Sequence, residues 1–277
     1  SLVGSEMCIR DRYIDAEAML PKGFQDLTAE KSRVNASSDA KSFLLSGIYE
    51  LLEIFESTGA NSLQEFAVSV GVEDSVRGFL LSDLSAVESY ETELNENLQS
   101  RELAEYFQYS FIPALERADA AFSKASINEV VDLEQSLTGS DVVISVDQAD
   151  VYVLRSIANL AAAFASIQSG YDWDLKADEV DQLDNDDNVS AESIRKINAN
   201  FAGIRSASQL AKAKQFLTNT INQYELASPL LRDQNRSDNR LFTLSVDDLE
   251  DEADFMESLL EMEEAMSEMM EMDEGEY

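Results

Sequence analysis

The sequence predicts an all-α protein, an irregular repeat-like bundle of helical hairpins with an acidic helical extension at its C-terminal end. Glycine and proline, the residues that most often interrupt helices, number only ten and three in 277 residues. Apolar residues instead recur at intervals of three and four along most of the chain. This spacing places them on one face of a helix, so each long segment can be assigned a buried side.

Two helices are predicted in the first half of the chain. The first starts at Ser38, whose side chain can accept a hydrogen bond from the first helical turn, and ends before Gly59. The second is expected from about Ser100 to Ser123. Pro113 lies inside this second helix and predicts a kink, because proline lacks a backbone donor and clashes with the preceding turn.

A third helix is predicted from about Asp147 to Ser169. Its second half is apolar on nearly every side, a pattern typical of a central, buried helix. We therefore expect Ala161 and Phe164 to lie in the core. The short run Val142–Val146 before this helix has the composition of an extended segment, but no sheet is expected.

Helical periodicity resumes after an acidic hinge at residues 171–188. Two further helices are predicted at Ser190–Ile204 and Ser206–Leu226. Ser245 and Asp248 then have the spacing of a capping box, in which a serine and an acid three residues later bond reciprocally at a helix start. A final helix should therefore begin there.

The C-terminal segment is strongly acidic. Between Val246 and Tyr277 the chain has no lysine or arginine, and six of its eight methionines lie there. We expect this helix to pack on the bundle as far as Leu260, which gives a helical domain over residues 13–260. From Glu261 the apolar face of the predicted helix consists of methionine and acids crowd the other positions, so residues 261–277 are expected to form an exposed, acidic, Met-rich tail.

Residues 1–12 are set aside from these predictions. The codons that would encode LVGSEMCIRD, residues 2–11, resemble an oligonucleotide adapter that is joined to DNA fragments for sequencing. This stretch is therefore interpreted as an artefact that was not selected to fold. It contains the only cysteine, Cys8, and the rest of the chain has neither cysteine nor histidine. The native chain is therefore expected to be a fragment that starts near Tyr13, without its true N-terminus or any export signal.

Charge and composition exclude several functions. The formal net charge of −35 argues against nucleic acid as a partner, because phosphate binding requires a basic surface. Without histidine or cysteine, thiol nucleophiles, Ser-His-Asp triads and His or Cys zinc sites are excluded. No cofactor is indicated, and no apolar run approaches the roughly 18 residues of a transmembrane segment. Another protein is the expected partner, with divalent cations as an alternative.

The acidic hinge contains a weak candidate metal site. Asp184, Asp186 and Asn188 have the one, three, five spacing of a calcium-binding EF-hand loop. However, Val189 stands where the loop needs glycine, and Arg195 stands where a bidentate glutamate belongs. An EF-hand is therefore rejected, and an irregular calcium site remains as an alternative to a solvated acidic loop.

The methionines of the final helix form a candidate interaction stripe. Met262, Met266 and Met269 continue the spacing of four and three that begins at Phe255 and Leu259. Methionine is an adaptable apolar residue, and this spacing favours a contact face. Copper(I) binding by the thioether sulfurs is a less favoured alternative, since no histidine or cysteine would assist.

The best enzymatic alternative is a carboxylate-based glycan hydrolase centred on Trp173. Tyr171, Asp172 and Asp174 flank this tryptophan, and such a group could stack on a sugar and supply carboxylates. No second carboxylate is fixed at a defined distance, and aromatic residues after a buried helix more often close the core. We therefore expect no enzymatic activity.

Five segments together resemble a loosely defined group of tetratricopeptide-like helical proteins and lipoproteins of the bacterial cell envelope. The resemblance implies a helical-hairpin fold and a location in the cell envelope or periplasm. Because its motifs are architectural and include no catalytic signature, we expect a non-catalytic binding or scaffold role. The resemblance carries over no functional residue. The segments are SDAKSFLLSGIYELLEIFE (38–56), LAEYFQYSFIPALERADAAFSKA (103–125), VDQADVYVLRSIANLAAAFASIQSGYDWDL (146–175), SQLAKAKQFLTNTINQYELAS (208–228) and LSVDDLEDEADFMESLL (244–260).

Overall fold

The computed structural model describes residues 24–56, 100–128, 130–133, 143–174, 191–233, 239–244 and 249–274. Of these residues 73% are helical, in agreement with the predicted all-α class. The elements in chain order are α1 (Phe24–Asn35), α2 (Ala40–Glu56), α3 (Ser100–Tyr106), a π-helical turn (Phe107–Phe111), α4 (Ile112–Phe122), β1 (Val131–Leu133), β2 (Ile144–Val146), α5 (Gln148–Gly170), α6 (Ala191–Ile197), α7 (Ala207–Leu231) and α8 (Leu249–Glu274).

The chain divides into two compact units. Unit 1 comprises residues 1–53, 115–163 and 214–277, and unit 2 comprises residues 54–114 and 164–213. The main core of unit 1 contains side chains from α2, α4, the strands and α5. Gly47 of α2 lies against the Phe122 ring so closely that an added Cβ would fall 2.4 Å from a ring carbon, so glycine is required there.

The start of α2 differs from the prediction in its capping residue. Asp39, not Ser38, accepts the backbone N–H of Ser42 at 2.8 Å. The carboxylate also accepts hydrogen bonds from the hydroxyls of Ser37 and Ser42. These donors, the Ser37 hydroxyl first, lower the pKa of Asp39 from 3.8 to about 2. A charged carboxylate at this position also suits the positive end of the helix dipole.

The predicted kink at Pro113 takes the form of a π-helical turn. Proline has no N–H to donate to the carbonyl of Tyr109, four residues earlier. The backbone widens just before it, and the N–H of Ile112 bonds to the carbonyl of Phe107, five residues back. The single wide turn accommodates the missing hydrogen bond and lets the chain continue as α4.

Helix α5 begins with a capping box made by two aspartates. Asp147 accepts the N–H groups of Ala149 and Asp150 at 2.9 and 3.2 Å. Asp150 accepts the N–H of Asp147 in return, at 2.9 Å. Its other oxygen accepts the N–H of Phe242 at 2.9 Å. The Asp150 carboxylate is fully buried, and these backbone donors offset the cost of removing its charge from water.

The prediction that α5 is buried all round is wrong. Ala162 and Ala163 are buried, whereas Ala161 is only partly buried. Phe164 is 47% exposed and Ile157, two turns earlier, is 44% exposed. Residues seven apart lie on one strip of a helix, so α5 has a solvent-facing strip that happens to be apolar. Apolar composition therefore did not distinguish the buried sides of this helix from the exposed side.

Helix α5 is also the one described segment that is long and apolar enough to cross a membrane. More than half of its most apolar window, 56%, is buried inside the protein. It also carries Asp150 and Arg155, both of which have partners within unit 1. We interpret it as a core helix on these grounds.

The expectation that the chain contains no sheet is also wrong. β1 and β2 pair antiparallel, with Val131 opposite Val146 and Leu133 opposite Ile144. On its other edge β2 is joined by residues 239–241, since Ser145 donates to the carbonyl of Asn239 and accepts from the N–H of Leu241, at 2.9 and 3.1 Å. Strands this short gain stability from such distant partners, which local sequence patterns do not reveal.

The inner face of α7 was predicted correctly, although its end was not. The six residues expected to face inward are all buried. The helix continues past Leu226 to Leu231 and includes Pro229. Ala227 and Leu231 pack with Ala149 and Val153 of α5, so burial favours the extra turn. The six are Leu210, Ala213, Phe216, Leu217, Ile221 and Tyr224.

Helix α6 is shorter than the predicted Ser190–Ile204. It ends at Ile197, and Asn198 then turns the chain by accepting the N–H of Asn200 at 3.0 Å. Ala202 follows in a left-handed conformation, with φ of 58°. Such a conformation is costly for a residue with a side chain and interrupts the helix.

Candidate functional site

The predicted calcium ligands Asp184, Asp186 and Asn188 lie outside the described residues, as do Ser245 and Asp248 of the predicted capping box. Within the described residues, no group of three or more His, Cys, Asp or Glu side chains is arranged to hold a metal ion. A calcium site in the hinge therefore stays a prediction.

Trp173 belongs to an aromatic cluster in unit 2. Its ring lies 5.6 Å from that of Tyr171 and 5.7 Å from that of Phe201, in edge-to-face arrangements at 60° and 75°. The indole N–H donates to the carbonyl of Gln168 at 3.1 Å. The tryptophan therefore makes the contacts of a residue that closes the end of α5.

The two aspartates beside Trp173 are bound to one arginine. The Arg205 guanidinium lies 3.0 Å from a carboxylate oxygen of Asp172 and 3.3 Å from one of Asp174. Backbone hydrogen bonds join the same two loops, from Asp172 to Gly203 at 2.8 Å and from Ala202 to Asp172 at 2.6 Å. This clamp holds the loop after α5 against the loop before α7, both within unit 2. The carboxylates thus have a structural partner that the sequence pattern did not indicate.

A second set of paired charges lies in unit 1. Glu50 is buried and lies 2.9 Å from Lys31 and 2.7 Å from Arg117. Burial alone would raise the pKa of Glu50, but the hydrogen bonds from Lys31 and Arg117 outweigh it and lower this pKa overall. Elsewhere in the unit, Arg155 binds Asp119 at 2.7 Å. These charges tie α1, α4 and α5 into the unit.

A small cavity in unit 1 lies between α4, α5 and α7. Its volume is about 90 Å³, enough for roughly three water molecules and well below the several hundred Å³ of a typical ligand site. Asn219 donates to Asn159 across it at 3.3 Å, and Asn159 donates to the carbonyl of Arg155 at 2.9 Å. The two asparagines of the cavity thus bond to each other.

Helix α8 packs antiparallel along α7 within unit 1. Arg232 donates to Glu252 at 3.1 Å, the rings of Tyr224 and Phe255 lie 5.7 Å apart, and Thr218 bonds to Glu263. Residue numbers rise along α8 as they fall along α7, which defines the antiparallel register. Burial and then the negative charge of Glu252 raise the pKa of Tyr224.

The predicted division of α8 after Leu260 stays a prediction, although the side chains that follow Glu261 are not all exposed. The helix continues to Glu274, Met262 is partly buried, and Met266 is only 3% exposed. Met269 lies in the same helix. Leu259 and Met266, seven residues apart, are both buried, so these two members of the predicted stripe pack against the protein itself. The interaction role of Met262, Met266 and Met269 stays a prediction.

The outer face of α8 is acidic. Asp254, Glu257, Glu261 and Glu264 are exposed at spacings of three and four, and the helix contains no lysine or arginine. Leu260 lies among them and is 49% exposed. This face therefore combines negative charge with a large apolar side chain.

No protein-family model, curated protein or solved structure matches this chain. The functional interpretation therefore depends on the residues described above. Sequence patterns identified the stripe of α8 but missed its clamp to α7, because Arg232 and Glu252 lie far apart in the chain and only the register of two helices brings them together.

Proposed function

We propose that the protein is a non-catalytic binding or scaffold protein of the bacterial cell envelope, and that it meets a basic, partly apolar protein segment through the outer face of α8. The resemblance of five sequence segments supports the location and the class. The observation that supports the surface is the half-exposed Leu260 within a row of exposed acids.

The absence of a catalytic role is supported by how the carboxylates are used. A carboxylate catalyst needs contact with its substrate and a pocket that excludes water. In the described residues, Asp172 and Asp174 bind Arg205, and Glu50 binds Lys31 and Arg117. Each of these carboxylates therefore joins separate segments of the folded chain.

The chemistry of the α8 surface favours a partner of a particular kind. Negative charge attracts a basic segment over a distance and raises its association rate, while an apolar contact slows its dissociation. Leu260 alone would supply little affinity, and acids alone would bind any cation. Together they select a helix or loop that carries both lysine or arginine and an apolar residue.

Binding of a labelled amphipathic peptide made of lysine and leucine tests this surface. Fluorescence anisotropy should show saturable binding to the full chain that weakens as salt is added. The Leu260→Lys variant should bind at least tenfold more weakly. Leu226→Lys is the matched control, because Leu226 is equally exposed, at 48%, on α7. Equal losses in both variants, or no saturable binding, would contradict the proposal.

The hydrolase alternative has a separate test. The full chain is incubated with peptidoglycan and soluble polysaccharides, and new reducing ends are measured. We expect none above the level of an Asp172→Asn/Asp174→Asn variant. Reducing ends that depend on these two aspartates would make the protein an enzyme and overturn the proposal. A lipoprotein signal in the DNA upstream of Tyr13 would support the location, and its absence there would count against it.

A further inference from the structure

The two halves of α8 are attached to unit 1 by different contacts. In the first half, the buried Glu252 binds Arg232 and the Phe255 ring packs on Tyr224. In the second half, Met262 and the buried Met266 face inward, and Glu263 bonds to Thr218. Beyond Leu259, the apolar contacts of the described side chains thus come from methionine.

A repulsive force acts on the same half. Glu257, Glu261 and Glu264 are exposed at spacings of four and three, and like charges at these spacings destabilise a helix. The methionine contacts therefore hold in place a segment that charge tends to release.

We infer that the second half of α8 is a redox-sensitive strap, which oxidation of Met262 and Met266 to the sulfoxide releases from unit 1. Met262 is partly exposed and reacts first, and Met266 becomes accessible as the strap loosens. A peroxide is the oxidant. The sulfur lone pair attacks one oxygen of hydrogen peroxide, the O–O bond breaks, and the departing hydroxide takes the proton of the transferred oxygen and leaves as water, while the thioether becomes a sulfoxide.

Oxidation should act strongly here because of what it changes. A methionine sulfoxide is polar, so it no longer favours a buried apolar position. The remaining contacts of the second half of α8 are then too few to offset the repulsion among Glu257, Glu261 and Glu264. Reduction by methionine sulfoxide reductases restores the thioether, so the strap should close again. The inference does not depend on the proposed partner.

Limited proteolysis with a glutamate-specific protease tests the strap in the full chain. Peroxide treatment should raise the rate of cleavage after Glu261 and Glu264 at least tenfold, and methionine sulfoxide reductases A and B should reverse this change. Mass spectrometry confirms that Met262 and Met266 carry the added oxygen. Unchanged cleavage when both are oxidised would overturn the inference.

Three variants localise the effect. Met262→Leu/Met266→Leu keeps the stripe apolar with little change in volume and should change less than twofold on treatment. Met256→Leu is the matched control, since Met256 lies in the half held by the Arg232 and Glu252 clamp, and it should respond like the unmodified chain. Met262→Gln/Met266→Gln should be cleaved rapidly without peroxide. The inference is wrong if peroxide raises the cleavage of Met262→Leu/Met266→Leu as much as that of the unmodified chain. It is also wrong if Met262→Gln/Met266→Gln resists cleavage without peroxide.

Discussion

Helices α5 and α8 have similar lengths, 23 and 26 residues, but they treat charge in opposite ways. The two charged residues of α5, Asp150 and Arg155, both bond to groups from other elements. As far as its side chains are described, helix α8 carries exposed acids along its outer face and buries only Glu252. In these two helices, a buried charge lies where a defined partner bonds to it.

The same rule separates the two ends of α8. Its buried acid is matched by Arg232, and its remaining exposed acids are left to water. The attachment of the first end of α8 therefore depends on the ion pair of Glu252 with Arg232. The attachment of the second end depends on the apolar contacts of Met262 and Met266. Substitutions can test each case separately.

The largest effect is expected from placing a charge on the buried side of α5. Ala163 is fully buried and Phe164 is 47% exposed, so two adjacent positions of one helix differ sharply in burial. Ala163→Asp should lower the free energy of unfolding by about 3 to 5 kcal/mol, because the carboxylate would have no partner. Phe164→Asp should cost less than about 1 kcal/mol. Urea denaturation measures both, and equal losses would show that the assignment of the two sides is wrong.

The next largest effect is expected at the ion pair of Arg232 and Glu252. Arg232→Met leaves the buried Glu252 carboxylate without its cation and should cost about 2 kcal/mol, somewhat less than for a fully buried pair because Arg232 is half exposed. Adding Glu252→Gln removes the uncompensated charge and should recover part of the loss. A double variant less stable than the single one would contradict this explanation.

A similar or smaller effect is expected at the methionine end. Met266→Ala should cost about 2 kcal/mol because it leaves a cavity at a position that is 3% exposed. Met262→Ala, at a partly exposed position, should cost less than about 1 kcal/mol. Helix content measured by circular dichroism during denaturation distinguishes the two variants. A larger loss at residue 262 would place the contact face elsewhere on the helix.

The smallest effect is at the exposed cap of α2. The pKa of Asp39 is about 2 when folded, below its ordinary 3.8, so the folded state favours the charged form. Its contribution to stability is complete above pH 3.8 and disappears as the pH falls through 2. Melting temperatures between pH 4 and pH 2 should therefore fall less steeply in Asp39→Asn than in the unmodified chain. Parallel curves would exclude Asp39 as the cap.

Local sequence patterns predicted the positions of the helices more reliably than the pairing of the strands or the exposed side of a helix. The spacing of apolar residues gave the positions of α2, α5 and α7 and the whole inner face of α7. It did not give the pairing of β1 with β2, because that contact joins segments separated along the chain. It also failed for Phe164, since a helix with apolar residues on every side gives no signal for which side faces water.

The candidate site was predicted less completely. The stripe of Met262 and Met266 was recognised from its spacing, but what covers it depends on how α7 lies beside α8. The ion pairs of Arg205 and Arg232 join residues 20 or more positions apart. An arginine in a loop looks the same whether it binds a ligand or a neighbouring carboxylate. Only the folded arrangement distinguishes these roles.

Hydrogen exchange of the backbone amides in α8 tests the central claim most directly. If the methionine stripe packs on α7, exchange in the chain with its methionines reduced should be slow from Glu252 through at least Met266, with no break after Leu260. If residues from Glu261 onward exchange as fast as an unfolded chain while residues 252–260 remain protected, the stripe does not pack and the proposed strap does not exist.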